Sequence, residues 1–188
     1  MLAIQKFLKE NTIQDAIDKW QLDISETEHF IQLNYAQFDT PRFIAECDEC
    51  RGLILDKESL EVISYPFNRF YNESEDKRFV FNMNNATLLE KLDGSLLTLY
   101  YNPYTESWSC CTRGKVNAEG YTIYNANRTF SDFFWETFGD RSTSILDKDL
   151  CYIFELVGAE NRIMKMYNNA LYLLAIRNRV TLEELYPA

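Results

Sequence analysis

The chain has 188 residues, 46% of them hydrophobic and 15% aromatic, which suits one domain with a real core. No run of about 18 apolar residues occurs, so neither a membrane span nor a secretory leader is expected, and the location expected is cytoplasmic. The formal charge is -10, with -8 in residues 1–90 and -2 in 91–188, which argues against a general nucleic-acid coat, because phosphate contacts dominate nonspecific affinity.

The single histidine, His29, argues against a Ser-His-Asp triad and a His-rich metal centre. Five cysteines, Cys47, Cys50, Cys110, Cys111 and Cys151, make an odd set and read as reduced thiols. A zinc site built on Cys47 and Cys50 would need Cys110 or Cys111 to complete it.

In chain order, Leu2, Ile4, Phe7 and Leu8, then Ile13, Ala16, Ile17 and Trp20, fall at helical spacing, and Asn11 or Thr12 caps the second helix. In the segment 29–38, Ile31, Leu33 and Tyr35 alternate with polar residues as in a half-buried strand. Residues 44–67 read as short strands, Ile44–Cys47, Gly52–Asp56 and Leu60–Tyr65, with turn-type breaks between them. Leu96–Asn102 and Ser107–Arg113 form a predicted hairpin around Pro103–Glu106. Residues 121–138 carry apolar side chains at helical spacing, from Ile123 to Phe138. Leu150–Val157 and Ala170–Ile176 are apolar strands, and Thr181 to Glu184 reads as a capping box opening a helix. The fold class expected is α+β.

Within this frame the chemistry gathers on Glu90–Tyr100, EKLDGSLLTLY. Lysine, aspartate at i+2 and glycine at i+3, feeding an alternating apolar segment, put an amine at the mouth of a strand. Asp-Gly between apolar runs is also a hairpin signal, in which Leu88 and Leu89 end one strand and Lys91 is an ordinary solvated side chain. Arg51, beside a glycine that permits close backbone approach, is either an exposed charge or a fork for phosphate or carboxylate. Glu155 interrupts an apolar strand, where a carboxylate costs several kcal/mol unless it is paired or faces a polar cavity. Asp93 is short enough to fix its loop by accepting backbone N–H groups, and Gly94 allows a tight turn close to a phosphate or sugar.

Taken together and in order, ECRGLIL (49–55), RFYN (69–72), KLDGSL (91–96), TRGK (112–115), YIFELVG (152–158) and LYLLAIRN (171–178) resemble the ATP-dependent RNA ligases of the bacteriophage type, within the covalent nucleotidyltransferase superfamily. The resemblance covers roughly residues 30 to 180. It implies a nucleotidyltransferase (ATP-grasp-like ligase) fold of mostly antiparallel sheets with flanking helices, and an adenylyltransferase domain over 1–188. It implies Lys91 as the nucleophile that becomes adenylylated. Tyr35, Arg51, Arg69, Tyr71, Asp93, Gly94, Arg113, Glu155 and Arg177 are implied as the ATP-binding set, with Tyr71 stacking on adenine and Glu155 also near the metal. Arg69 and Arg113 stand where the family commonly has lysine.

The partners so implied are ATP with Mg2+ and RNA ends, a 5′-phosphate and a 3′-hydroxyl, in RNA repair in the host cytoplasm if phage-encoded. Burial and neighbouring positive charges are expected to lower the Lys91 pKa, since a free lysine is protonated at neutral pH. The family's later glutamate strand and lysine pair find no match after Asn178, so the chain reads as incomplete at its C-terminal end, with a second polypeptide as a candidate partner. The alternative is a catalytically impaired module that binds a nucleotide or an RNA end. A DNA ligase or capping relative is a third reading, because KxDG is shared.

Overall fold

The computed structural model describes residues 1–72, 74–75, 84 and 89–185. Helices α1 (Ala3–Leu8) and α2 (Ile13–Trp20) lead into strands β1 (Leu22–Glu26) and β2 (Phe30–Tyr35), a short helix α3 (Ala45–Asp48), and strands β3 (Arg51–Asp56) and β4 (Val62–Ser64). Thr12 caps α2 through a reciprocal pair with Asp15. Next come β5 (Ser95–Asn102), β6 (Ser107–Thr112), the small hairpin β7 (Tyr121–Thr122) and β8 (Asn125–Thr129), and helix α4 (Phe130–Phe138). Strands β9 (Leu150–Val157), β10 (Ala170–Asn178) and β11 (Glu184–Leu185) complete the described chain.

Two larger antiparallel sheets result, β1-β2-β3-β4 and β11-β10-β9-β5-β6, beside the two-stranded β7-β8. The fold is thus α+β, mixed but mostly antiparallel. Side-chain alternation assigns the layers. Ile31, Leu33, Leu53 and Leu55 point to one face of the first sheet and pack under α1 and α2 against Leu2, Ile4, Leu8, Ala16 and Trp20. Leu97, Leu99 and Leu156 of the second sheet pack against Phe133, Phe134 and Phe138 of α4. The remaining faces meet each other, Phe30, Ile54 and Ile63 against Tyr100, Cys111 and Cys151. Gln32 Nε2 donates to the Thr112 carbonyl across this junction at 2.9 Å.

This layering corrects several expectations. Strand β2 is buried at all six positions rather than on one face, because helices cover one side and the second sheet the other. Ile44–Cys47, expected as a strand, is the N-cap and first three residues of the one-turn helix α3, and Cys47, with Cys50 just past the helix end, is buried in the core. The helix expected over 121–138 begins only at Phe130, and 121–129 is the β7–β8 hairpin. Thr181–Glu184 opens no helix: Glu184 lies in β11, paired with Arg177 of β10. The strand end expected at Leu88 and the residues from Tyr186 onward lie outside the described residues.

All five cysteines are buried and unpaired, and burial pushes the Cys47 and Cys111 thiols up to about 12. Among the described residues no three metal-ligating side chains converge, and no helix is long and apolar enough to cross a membrane.

Candidate active site

Where the two sheets diverge, a cleft of about 740 Å³ opens. Its floor comes from the second sheet. Leu96 of β5 is the cross-strand partner of Glu155 of β9, and Leu174 projects at the irregularity between Leu173 and Ala175 of β10. Arg51, at the start of β3, faces it from the first sheet, and Lys91, Leu92 and Gly94 enter along the segment leading into β5. Lysine, arginine and glutamate, far apart in sequence, therefore share one cavity.

The lysine segment is held from two sides. Gly94 N–H donates to Glu155 Oε1 at 2.9 Å. Asp93 Oδ2 accepts the backbone N–H groups of Met164 and Lys165 at 2.6 and 2.8 Å, so the aspartate ties the lysine segment to the 162–169 loop. Those two bonds, that from Lys165 first, hold the Asp93 carboxyl below the usual range. A Cβ at position 94 would stand 2.3 Å from the Leu156 carbonyl oxygen, so the close approach is to β9. Gly52 repeats the pattern: its φ is +83° and a Cβ there would meet the Arg113 backbone at 3.0 Å.

Glu155 is half-buried and its pKa is raised, by burial first, against the Gly94 N–H, Arg51 and Lys91, which pull it down. Burial likewise lowers Arg51, against the charge and hydrogen bond of the Tyr35 hydroxyl, which raise it, and the charge of Arg113 adds to the lowering. The Arg51 guanidinium lies 4.7 Å from the Phe70 ring centroid, and its Nη1 is buried without a hydrogen-bond partner. Orphaned buried donors are rare and point to a group that belongs there. Lys91 is exposed at the rim, so the burial expected around it is not found.

Five other residues expected in the site, Arg113 among them, have structural partners and do not line the cleft. Arg69 is buried, with Nη1 on the Thr40 carbonyl at 3.2 Å and its guanidinium 4.2 Å from the Tyr35 ring centroid. Tyr35 lies between Arg69 and Arg113, whose Nη2 donates to its carbonyl at 2.7 Å. The Tyr71 hydroxyl donates to Asp48 and accepts Phe43 N–H, and its ring packs on Phe43 at 4.3 Å. Arg177 bridges Glu184 to the Pro66 carbonyl. The RFYN segment is extended, and Phe70 and Asn72 face the cleft while Arg69 and Tyr71 face away. Sequence reasoning missed Phe67, Phe70, Leu174 and Glu184. The last puts a further carboxylate, besides Glu155 and Glu90, on a strand after β10, where none was expected.

A cleft at the divergence of two antiparallel sheets, with a lysine at the mouth of a strand and an arginine and a glutamate facing it, is a site suited to phosphate esters. The RNA ligase family profile matches residues 49–187, and the chain belongs to that family. A relative described as a bifunctional polynucleotide kinase/RNA ligase, from Autographa californica nuclear polyhedrosis virus, is 30% identical over 209 aligned positions, covering 99% of this chain and 30% of the relative. An RNA ligase of Rhodothermus phage RM378 is 31% identical over 165, covering 69% of this chain and 37% of the relative. The chain thus spans about a third of the length of these curated relatives.

Proposed function

We propose that the chain carries the adenylyltransferase site of an ATP-dependent RNA ligase, on a nucleotidyltransferase fold, with Lys91 as nucleophile. The observation that carries this reading is the unpartnered Arg51 Nη1 in a cleft that also holds Lys91 and Glu155. A buried guanidinium donor without a partner fits an anionic oxygen, and the planar fork suits phosphate. The apolar wall of Phe67, Phe70 and Leu174 fits the flat face of a base.

In the reaction so proposed, the Lys91 amine attacks the α-phosphate of ATP, a phosphorus–nitrogen bond forms, and the bond to pyrophosphate breaks. The AMP then passes to an RNA 5′-phosphate, and a 3′-hydroxyl displaces it to leave a phosphodiester. Arg51 neutralises charge that grows on the phosphate oxygens during each displacement. Glu155 holds the Gly94 N–H, and through it the lysine segment, and it offers a carboxylate to a ribose hydroxyl or a metal-bound water. The described residues fit Mg2+ only as a site of one or two carboxylates, Glu155 and Glu184, completed by phosphate oxygens; bound there, the ion would add charge neutralisation.

The test is incubation with α-labelled ATP and magnesium. The protein should take up acid-labile label, and Lys91→Ala should take up none. Equal label in the variant would remove Lys91 from the role.

A further inference from the structure

A second cavity, about 340 Å³, lies beside the cleft and between β1, β2 and the turn after β6. Asp23, Ser25, Asn34 and Arg113 line it. Asn34 is only 8% exposed, yet its Oδ1 has no hydrogen-bond partner. Among the described residues the buried side-chain atoms without a partner are this one, Arg51 Nη1 and Glu160 Oε2, and the last has Arg128 Nη1 3.1 Å away. The two that remain are on neighbouring strands, because Asn34 is the cross-strand partner of Arg51 on one side and of Asp23 on the other. Gln32, one step along the same face of β2, shows the contrast: its amide is satisfied by the Thr112 carbonyl.

The two cavities share lining residues across the gap between the sheets, which itself has room for only about 10 Å³. Arg113 lines both the second cavity and the gap between the sheets, and that gap shares Arg51 and Leu96 with the cleft that holds Lys91. A polar row therefore runs from Asp23 through Asn34 and Arg113 to Arg51 and Glu155.

We propose that this second cavity receives the 3′-terminal ribose of an RNA strand, with Asn34 Oδ1 and Asp23 accepting from its 2′- and 3′-hydroxyls and Arg113 beside its phosphate. The chemistry of the lining selects this end. The carboxylate and the orphaned carbonyl oxygen both require hydroxyl or amine donors, and a ribose diol supplies two adjacent ones. A 5′-phosphate would bring its charges against Asp23 instead. The cavity also gives the site a way to tell RNA from DNA, because the 2′-hydroxyl is what differs between them. The assignment rests on the ligase reading for its substrate class, and places the 3′-hydroxyl end beside the cleft where an activated 5′ end would sit.

The experiment is fluorescence anisotropy at one fixed low salt concentration, with a single-stranded RNA decamer ending in a ribose diol and the same decamer ending in a 2′,3′-dideoxynucleotide. Wild type should bind the diol end roughly tenfold more tightly, as expected for two hydroxyl hydrogen bonds. Asn34→Leu should reduce that ratio to about two, and Asp23→Asn, an exposed position where folding is not at stake, to about four. Circular dichroism and thermal melting of both variants report folding separately. Equal affinity of wild type for the two decamers would overturn the proposal. So would an undiminished ratio in the folded Asp23→Asn variant, whatever the state of Asn34→Leu. Labelling of Lys91 by ATP, measured on the same wild-type preparation, reports the ligase reading by itself. A preparation that discriminates the ends but takes up no label would refute that reading and leave the cavity assignment standing.

Discussion

Gly94→Ala is the sharpest perturbation of the site, because the added atom has nowhere to go. Its Cβ would stand 2.3 Å from the Leu156 carbonyl oxygen and 2.9 Å from both the Leu156 carbonyl carbon and Val157 Cγ1. Leu156 cannot yield easily. It pairs with Ser95 on one side and Leu171 on the other, and its carbonyl accepts from Asn161 Nδ2 at 2.7 Å. Position 94 must therefore retreat by on the order of 1 Å to reach an ordinary contact, and overpacking of this kind typically costs about 1–3 kcal/mol.

The retreat also stretches the 2.9 Å bond from Gly94 N–H to Glu155 Oε1. A hydrogen bond to a charged group contributes about 1.5–3 kcal/mol, and since relief of the clash and loss of the bond are the same movement, the net expectation is a loss of about 3 kcal/mol. The same displacement moves Lys91, three residues upstream, relative to Arg51. A misplacement of about 1 Å at a reacting group can lower a rate roughly 100-fold. Urea unfolding measures the first effect and the initial rate of lysine labelling by ATP the second. Gly114→Ala is the control, since a Cβ there meets nothing within 4 Å. A Gly94→Ala protein with the wild-type urea midpoint and labelling rate would refute the account of this glycine.

Glu155→Gln tests the raised carboxyl. Burial disfavours the ionised form in the folded state, so protonation favours folding; that stability is full below the ordinary glutamate pKa and is lost as pH rises through the raised one. The variant should gain melting temperature over wild type at pH 7 more than at pH 4, and a pH-independent difference would contradict this. Asp93 has the opposite sign: its lowered pKa contributes stability above the ordinary aspartate value and loses it as pH falls through the lowered one. Asp93→Asn should therefore be destabilised at neutral pH and converge on wild type in acid, by thermal melting. Arg69→Leu should cost about 1–3 kcal/mol in urea unfolding by leaving the Thr40 carbonyl without its donor. Arg51→Ala should lower ATP affinity with little loss of stability; if instead it unfolds the chain, the guanidinium is a structural group.

The residues that were legible in the sequence are those whose local pattern carries a physical conflict. A carboxylate inside an apolar strand and a lysine ahead of Asp-Gly each ask for a partner, and Glu155, Lys91 and Arg51 meet in one cleft. Arg69 and Tyr71 were legible as a motif but not as a direction. In an extended segment a shift of one residue exchanges the faces, and nothing in RFYN says which pair turns inward. Ile44–Cys47 misleads because four residues are too few for helical spacing to show. Strand β1 had a signal, Leu22 and Ile24 alternating with polar neighbours, that goes with the half-buried edge it forms. Asn34 gave none. Only the second sheet, arriving from 60 residues and more downstream, turns a polar residue of β2 into a buried one.

The cleft holds its two opposite charges apart. Burial raises Glu155 and lowers Arg51, so each is strained in its ionised form, and each relieves the other at a distance. Yet among the described residues no salt bridge joins them. Direct pairing would have satisfied both groups and closed the cleft. Elsewhere the chain does make such pairs: Arg177 with Glu184 at 2.7 Å and Arg179 with Asp149 at 2.9 Å. Arg51 instead lies over Phe70 and beside the Tyr35 hydroxyl, and Glu155 accepts the Gly94 N–H. On the proposed reading, a nucleotide supplies what both lack, phosphate oxygen for the guanidinium and hydroxyl for the carboxylate. The protein then reorganises little when charge develops in the reaction, which is the condition under which fixed charges lower a barrier most.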